Sequence, residues 1–267
     1  MAVFSTYKTL GKTPLQALEN YRNEHNLPTD LKMAYAGRLD PMAEGRLLLL
    51  SGETCKERDT YLHLDKEYEF EILLGFASDT YDILGILEKA EDYQFSEFNS
   101  IQIDQVLDRY RGNVSLPYPL FSSKTVKGKP LFLWALEGRA DTITIPVRQS
   151  TIYKLDYLES HSLSSQEIYS TVCERIEKVD RVVEDSKKLG NDFRREEVLG
   201  SWVKSTTDTK AYYQIIKLRC IASSGTYMRT LASVIAQDLG SIGLAWSIKR
   251  TTIGVYDPYS KQWNKVY

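Results

Sequence analysis

Tyr35-Ala36-Gly37-Arg38-Leu39-Asp40-Pro41-Met42-Ala43-Glu44-Gly45 is the stretch that decides how this chain folds. Glycines stand near both ends and a proline directly follows a carboxylate, so the segment reads as a rigid loop, neither helix nor strand. The apolar run that continues it, Arg46–Ser51, reads as a buried strand. Asp40 is thus held between Leu39 and Pro41 where the chain enters the core, a poor place for a casual surface charge. Two readings of it stand: a carboxylate that caps a turn or pairs with Arg38, and one presented for chemistry.

Upstream, Thr13-Pro14-Leu15-Gln16 opens a helix, with Thr13 as cap, Pro14 at the first helical position and Gln16 completing a capping box. Tyr7 to Lys12 before it is a basic loop with a glycine hinge. Downstream, Glu67–Phe76 is the clearest strand, because Tyr68, Phe70, Ile72 and Leu74 alternate with Glu67, Glu69, Glu71 and Leu73. A polar loop, Ala77–Asp82, leads to Gly85. Ile103, Val106, Leu107 and Tyr110 mark a helix stopped by Gly112, and two prolines make Leu116–Lys124 extended. Strands are expected near Thr142–Val147 and Ile152–Leu158. Ser164–Gly190 reads as one solvated amphipathic helix of mixed charge, its stripe formed by Ile168, Val172, Ile176, Val179 and Val183. A strand at Tyr212–Ile221, a turn at Ala222–Thr226, a helix to Leu239 and a strand at Leu244–Lys249 close the pattern. No linker or internal repeat divides it, which gives one α+β domain over residues 1–267.

Composition narrows the chemistry. The 267 residues are 42% hydrophobic and 26% charged, an ordinary globular mix. The longest apolar run, Leu47–Leu50, is far too short to span a bilayer. The N-terminus has no basic cluster followed by an apolar stretch. Three scattered cysteines argue for a reducing cytoplasm, and three isolated histidines offer neither a metal site nor a catalytic triad. No phosphate-binding or dinucleotide-binding glycine pattern occurs, so cofactor chemistry has no support. The net charge of −2 removes the simplest argument for nucleic-acid binding, and any such surface must come from local clustering.

Two further residues join Asp40 as candidates. Arg229 falls in the first turn of the helix that opens after Ser224-Gly225, where the helix dipole disfavours a cation. The placement is understandable if the guanidinium faces an anion; bidentate pairing with a buried carboxylate would keep that acid ionised and orient its oxygens, although a structural ion pair reads equally well. Tyr68, on the apolar face of its strand, is either core or a ring at a pocket edge able to stack on a base. Ile248 is most simply a core residue.

Together these segments resemble the TruB-type tRNA pseudouridine synthases. Gly37-Arg38-Leu39-Asp40-Pro41 with Ala43-Glu44-Gly45 resembles the family's catalytic-aspartate loop, and Lys8–Thr13 its N-terminal lysine-glycine motif. Asp65-Lys66-Glu67-Tyr68 resembles its tyrosine strand, and Ser78–Asp82 with Gly85 the loop that follows. Pro117–Lys124 with Gly128, Ser224–Thr230 and Ile248-Lys249-Arg250 resemble the remaining motifs, in the family's order. The resemblance implies a pseudouridine-synthase fold, a central mixed, mainly antiparallel sheet flanked by helices, and isomerisation of a flipped-out uridine in RNA. It implies Asp40 as nucleophile or acid-base carboxylate, Arg229 as its partner, Tyr68 stacked on the uracil and helping to remove the C5 proton, and Ile248 packing the pocket. It implies tRNA, at uridine 55 of the T-loop, as partner, with Lys8, Lys12, Lys124, Lys127, Lys129, Lys249 and Arg250 on a phosphate-binding rim. The expectation is a cytoplasmic monomer working without cofactor or metal.

Three features depart from the family pattern. Arg38 stands where a small residue is common and gives a Gly-Arg-Leu-Asp sequence similar to that of ribosomal-RNA synthases. Tyr35 stands where a histidine is common and bears on recognition of the flipped loop. The end at Tyr267 leaves no room for a C-terminal RNA-binding PUA domain, and a charged helical insertion at about 160–209 is expected to substitute in part as an RNA clamp.

Overall fold

The structure is a computed structural model that describes residues 2–88, 97–181, 190–206 and 211–267. Its framework is a nine-stranded sheet, whose strands are β1 (Ala2–Lys8), β2 (Met33–Ala36), β3 (Ala43–Ser51), β4 (Asp65–Leu74), β5 (Gly112–Pro117), β6 (Val147–Ser164), β7 (Tyr212–Ala222), β8 (Gly243–Asp257) and β9 (Gln262–Val266). They lie in the order β1-β3-β8-β4-β7-β6-β5, with β2 on β3 and β9 on β8. The pairs are antiparallel except β3 with β8, where Ala43, Glu44 and Gly45 face Ile248, Lys249 and Arg250. The fold is α+β, with a mixed, mainly antiparallel sheet.

Central β4 shows how the sequence sets this order. Phe70, Ile72, Leu73 and Leu74 are fully buried, each contributing about 1.5–3 kcal/mol of burial. The intervening acids find partners on adjacent strands: Glu69 pairs with Arg219 at 3.3 Å, and Glu71 accepts from the Ser247 hydroxyl at 2.5 Å. Gly75, at φ +87°, ends the strand before Phe76 by turning where other residues would be strained.

Helices cover the sheet. α1 (Pro14–Glu24) starts at the expected capping box, with Gln16 N donating to Thr13 Oγ1 and Thr13 N to Gln16 Oε1. α2 (Arg58–Leu62), α3 (Ser100–Leu107) and α4 (Leu131–Leu136) are short. α7 (Met228–Asp238) packs across β8 and β4.

The segment read as one helix from Ser164 to Gly190 is different in the structure. β6 runs unbroken to Ser164, so the insertion expected from about residue 160 turns helical only at Ser165. α5 spans Ser165–Glu177, capped by Ser164, and a second helix, α6, spans Gly190–Ser205. Val183 lies outside the described residues. Far from forming a solvated helix, the excursion enters the main core through Ile168, Val172, Ile176, Val198 and Trp202. The apolar stripe read from the sequence is the face of α5 that packs, and α6 extends it with Val198 and Trp202. The strand expected at Thr142–Val147 is a 3-10 turn at Ala140–Thr142 followed by irregular chain, and β6 starts only at Val147.

Candidate active site

The Gly37–Met42 loop is built to display one side chain. Leu39 and Met42 are buried in the main core on either side of Asp40, and Ala43 N donates to Asp40 O at 3.0 Å to close the turn. Gly11 N donates to Pro41 O at 2.8 Å, fastening the loop to the N-terminal basic segment. With its neighbours anchored, the Asp40 carboxylate projects into a cavity of about 720 Å³ and keeps 40% of its side chain exposed there. It is therefore not the buried acid expected from sequence but one facing an open pocket.

Arg229 meets it from the first turn of α7, almost fully buried. Its Nε lies 2.8 Å from Asp40 Oδ2 and 3.6 Å from Asp82 Oδ2. The expected bidentate fork does not form. Nη1 donates to Thr80 O at 2.8 Å and Nη2 to Phe121 O at 3.2 Å, so only Nε faces the acids, in ion-pair contact without hydrogen-bond alignment. Burial works against this cation, but Asp40 and then Asp82 outweigh it and raise its pKa. The first-turn position is tolerated because two carboxylates and two carbonyls supply what the helix dipole withholds.

In the sequence Asp82 is one residue of a polar loop, and the structure gives it weight. It is buried, with Oδ1 accepting from Thr80 Oγ1 at 2.7 Å and from Leu84 N at 2.9 Å. Burial raises its pKa, against the pull of Arg229 and the Thr80 hydroxyl. Two aspartates thus share one guanidinium, one sealed in and one open to a ligand.

The sheet supplies the opposite wall. Tyr68 on β4 lies across from Arg250 on β8, and Phe70 across from Ile248, so these side chains share a face. Tyr68 is half-buried and lines the cavity with Ile248. Burial raises its phenol pKa, opposed by Arg250. Lys66, two residues before Tyr68, also lines the cavity; it donates to Leu62 O at 2.8 Å and to Leu64 O, and burial, with Arg250 nearby, lowers its pKa to about 7.

The expected phosphate rim divides. Lys124, Lys127 and Lys249 are exposed. Lys8 is fully buried, its Nζ donating to Lys12 O at 2.6 Å and Thr9 O at 3.1 Å, so it pins the basic loop and does not face solvent. Arg250 is also buried, donating to Arg46 O at 2.7 Å and Arg38 O at 3.4 Å, and belongs to the cavity floor. Lys12 is paired with Asp180 at 2.7 Å, and Lys129 with Glu137 at 2.5 Å, over the Trp134 ring. Arg38 stands exposed at the cavity mouth, bonded to Ser123. Tyr35 is not among the lining residues; it packs beside Leu47 and Leu49. Sequence reasoning also passed over Arg148 and Arg194, both in the lining. In all, seven lysines and arginines line the cavity against two aspartates, so an acidic chain concentrates positive charge at one place. Among the described residues no cluster of three His, Cys, Asp or Glu side chains could hold a metal, and no helix is long and apolar enough to cross a membrane.

The mixed, mainly antiparallel sheet with its flanking helices is a pseudouridine-synthase fold. It is shared with a crystal structure of a Cbf5–Nop10–Gar1 complex, at TM-score 0.54 over 94% of this chain and 48% of that one, with 16% identity. Residues 25–174 match the model of the TruB family pseudouridylate synthase, N-terminal domain, and the chain belongs to that family. It is 32% identical over 157 residues to tRNA pseudouridine synthase B of Clostridioides difficile, covering 58% of this chain and 50% of the relative. It is 28% identical over 226 residues to the protein of the same name from Caldicellulosiruptor saccharolyticus, covering 85% and 59%. The chain spans about half the length of the curated relatives it matches.

Proposed function

We propose that this chain is a tRNA pseudouridine synthase that isomerises a flipped-out uridine, uridine 55 of the T-loop, acting as a monomer with Asp40 as its catalytic carboxylate. The observation that carries the reading is the open Asp40 carboxylate beside buried Arg229 in a cavity that also holds Tyr68 and Ile248. The names of its relatives supply the substrate class.

The base leaves its stack and enters the cavity, where the Tyr68 ring offers a stacking face and Ile248 an apolar floor. Asp40 acts on the ribose, either by attack at C1′ or by taking the C2′ proton to form a glycal; in both routes the N1–C1′ bond breaks. The uracil turns within the pocket and C5 bonds to C1′, displacing Asp40 from C1′ on the first route or taking the C2′ proton back from Asp40 on the second; the C5 proton then passes to solvent by way of Tyr68 while N1 takes up a proton. Substrate and product have the same atoms, so no co-reactant is consumed. Arg229 holds the Asp40 oxygens in place, and the positive cavity lining attracts the phosphates flanking the target.

The test is Asp40→Asn. Tritium release from C5-labelled uridine in tRNA transcripts is expected to vanish while RNA binding survives; release at the unmodified protein's rate would refute the assignment. Arg38 at the cavity mouth favours one second reading, a synthase for another RNA. Mapping pseudouridine in tRNA and ribosomal RNA after treatment separates the two.

A further inference from the structure

The helical excursion supplies a residue to the cavity wall. Arg194, near the start of α6, adopts a left-handed backbone at φ +57°, an uncommon conformation for a long side chain. Its guanidinium is largely buried and grips Asp79 with both ends, Nη1 donating to Oδ2 at 2.5 Å and Nη2 to Oδ1 at 3.2 Å. The same group lies over the Phe121 ring, 4.3 Å from its centroid. Asp79 directly precedes Thr80. Thr80 and Phe121 are the two residues whose carbonyls receive Nη1 and Nη2 of Arg229. One arginine therefore bridges the two loops that hold another.

The excursion itself is firmly seated, so this bridge has a fixed base. Asp180, just beyond α5, accepts from Lys12 Nζ at 2.7 Å and Gln16 Nε2 at 2.6 Å. A Cβ on Gly11 would fall 1.9 Å from Lys178 O, showing how closely the segment lies on the N-terminal loop. Arg195 donates to Val179 O at 2.8 Å, and Trp202 Nε1 to Ile83 O at 3.2 Å.

We propose that Arg194 is a positioning residue for the Arg229–Asp40 pair: by locking the Asp79–Asp82 loop to the Phe121 loop, it fixes the carbonyls that aim the Arg229 guanidinium at the reactive carboxylate. The assignment rests on the proposed function for its catalytic consequence but not for its structural one. The weaker link is the Nη2 bond to Phe121 O, already 3.2 Å long, and it is the first to fail when the bridge is removed. Both ends of the Arg194 guanidinium are taken up by Asp79, so this cation of the lining is already paired and its loss acts on orientation and not on phosphate attraction.

The experiment compares Arg194→Ala and Arg194→Lys with the unmodified protein. For a folded Arg194→Ala, kcat on tRNA is expected to fall about tenfold or more, with the RNA Kd within twofold, since small misplacements of reacting groups carry such losses. Arg194→Lys keeps one contact to Asp79 and should recover part of the rate. Asp79→Asn should reproduce the loss, and the double variant should add little to either single one. A readout independent of turnover is the Arg229 Nε–H signal in arginine-labelled protein, expected to broaden or exchange faster when the bridge is absent. Unchanged kcat with an unchanged Nε–H signal overturns the proposal, as does a loss seen only in Kd. If the unmodified protein makes pseudouridine in no RNA, the proposed function fails while the Nε–H signal still decides the place of Arg194. Should Arg194→Ala fail to fold, the same two measurements on Arg194→Lys decide the matter.

Discussion

Asp82→Asn should cost no stability, although the Asp82 carboxylate is sealed beside the same cation that Asp40 meets. Asp40 Oδ2 is 2.8 Å from Arg229 Nε but 40% of its side chain is exposed; Asp82 Oδ2 is 3.6 Å away with 5% exposed. In water-like surroundings the nearer pair is worth about 1.5 kcal/mol, whereas at an effective dielectric of about 20 the farther one is worth about 4–5 kcal/mol. Environment therefore outweighs distance. Asparagine at 82 keeps an oxygen for Thr80 and Leu84, so the change removes charge and little else. Burying the carboxylate costs more than this attraction returns, which is why the Asp82 pKa is raised, so losing the charge should leave the Tm unchanged or higher. Asp40→Asn should lose less than about 1 kcal/mol. Thermal melts of both variants at pH 7, with tritium release measured on the same samples, check this. A Tm clearly lowered by Asp82→Asn would refute the reasoning that burial outweighs the ion pair at the sealed acid.

Lys66 and Lys8 are both held below the ordinary 10.5 by burial, to about 7 and about 8. The unfolded chain then binds more protons than the folded one above about pH 7, and stability from these groups rises with pH towards 10.5, by at most about 1.4 kcal/mol per pH unit for each lysine. Lys66→Met should flatten the rise between pH 7 and 9 in denaturant titrations; an undiminished rise would show that Lys66 is not the group responsible. Gly45→Ala should be severe, because φ is +116° and a Cβ would sit 2.2 Å from Arg250 O, where backbone cannot yield. Gly128→Ala, at φ +78° with open space around it, should lose only about 1 kcal/mol in the same urea melts.

What could be read without coordinates was local. The Thr13–Gln16 cap and the alternation of β4 depend on neighbours in sequence, and the structure shows both. Arg229 stood out because its helical position conflicts with the dipole, and the conflict is resolved by groups from three distant segments. Lys8 and Arg250 were read as surface cations because long charged side chains ordinarily reach water; their burial follows from backbone carbonyls that gather only when the sheet assembles. Ala2–Lys8 gave little sign of being a strand, since its pairing along β3 is entirely non-local. Arg194 left no trace in the pattern, hidden in a run of mixed charge whose inward face became apparent only with Trp202 in the core.

The sheet order also bears on what can be cut away. β4 lies between β8 and β7, and both follow residue 174, where the match to the family's N-terminal domain stops. A fragment trimmed to residues 25–174 would leave β4 bare on both edges and strip Asp40 of its counter-cation. On the ribosome, β4 must wait for nearly the whole chain to emerge before it gains either neighbour. The end of that match is no seam in the fold.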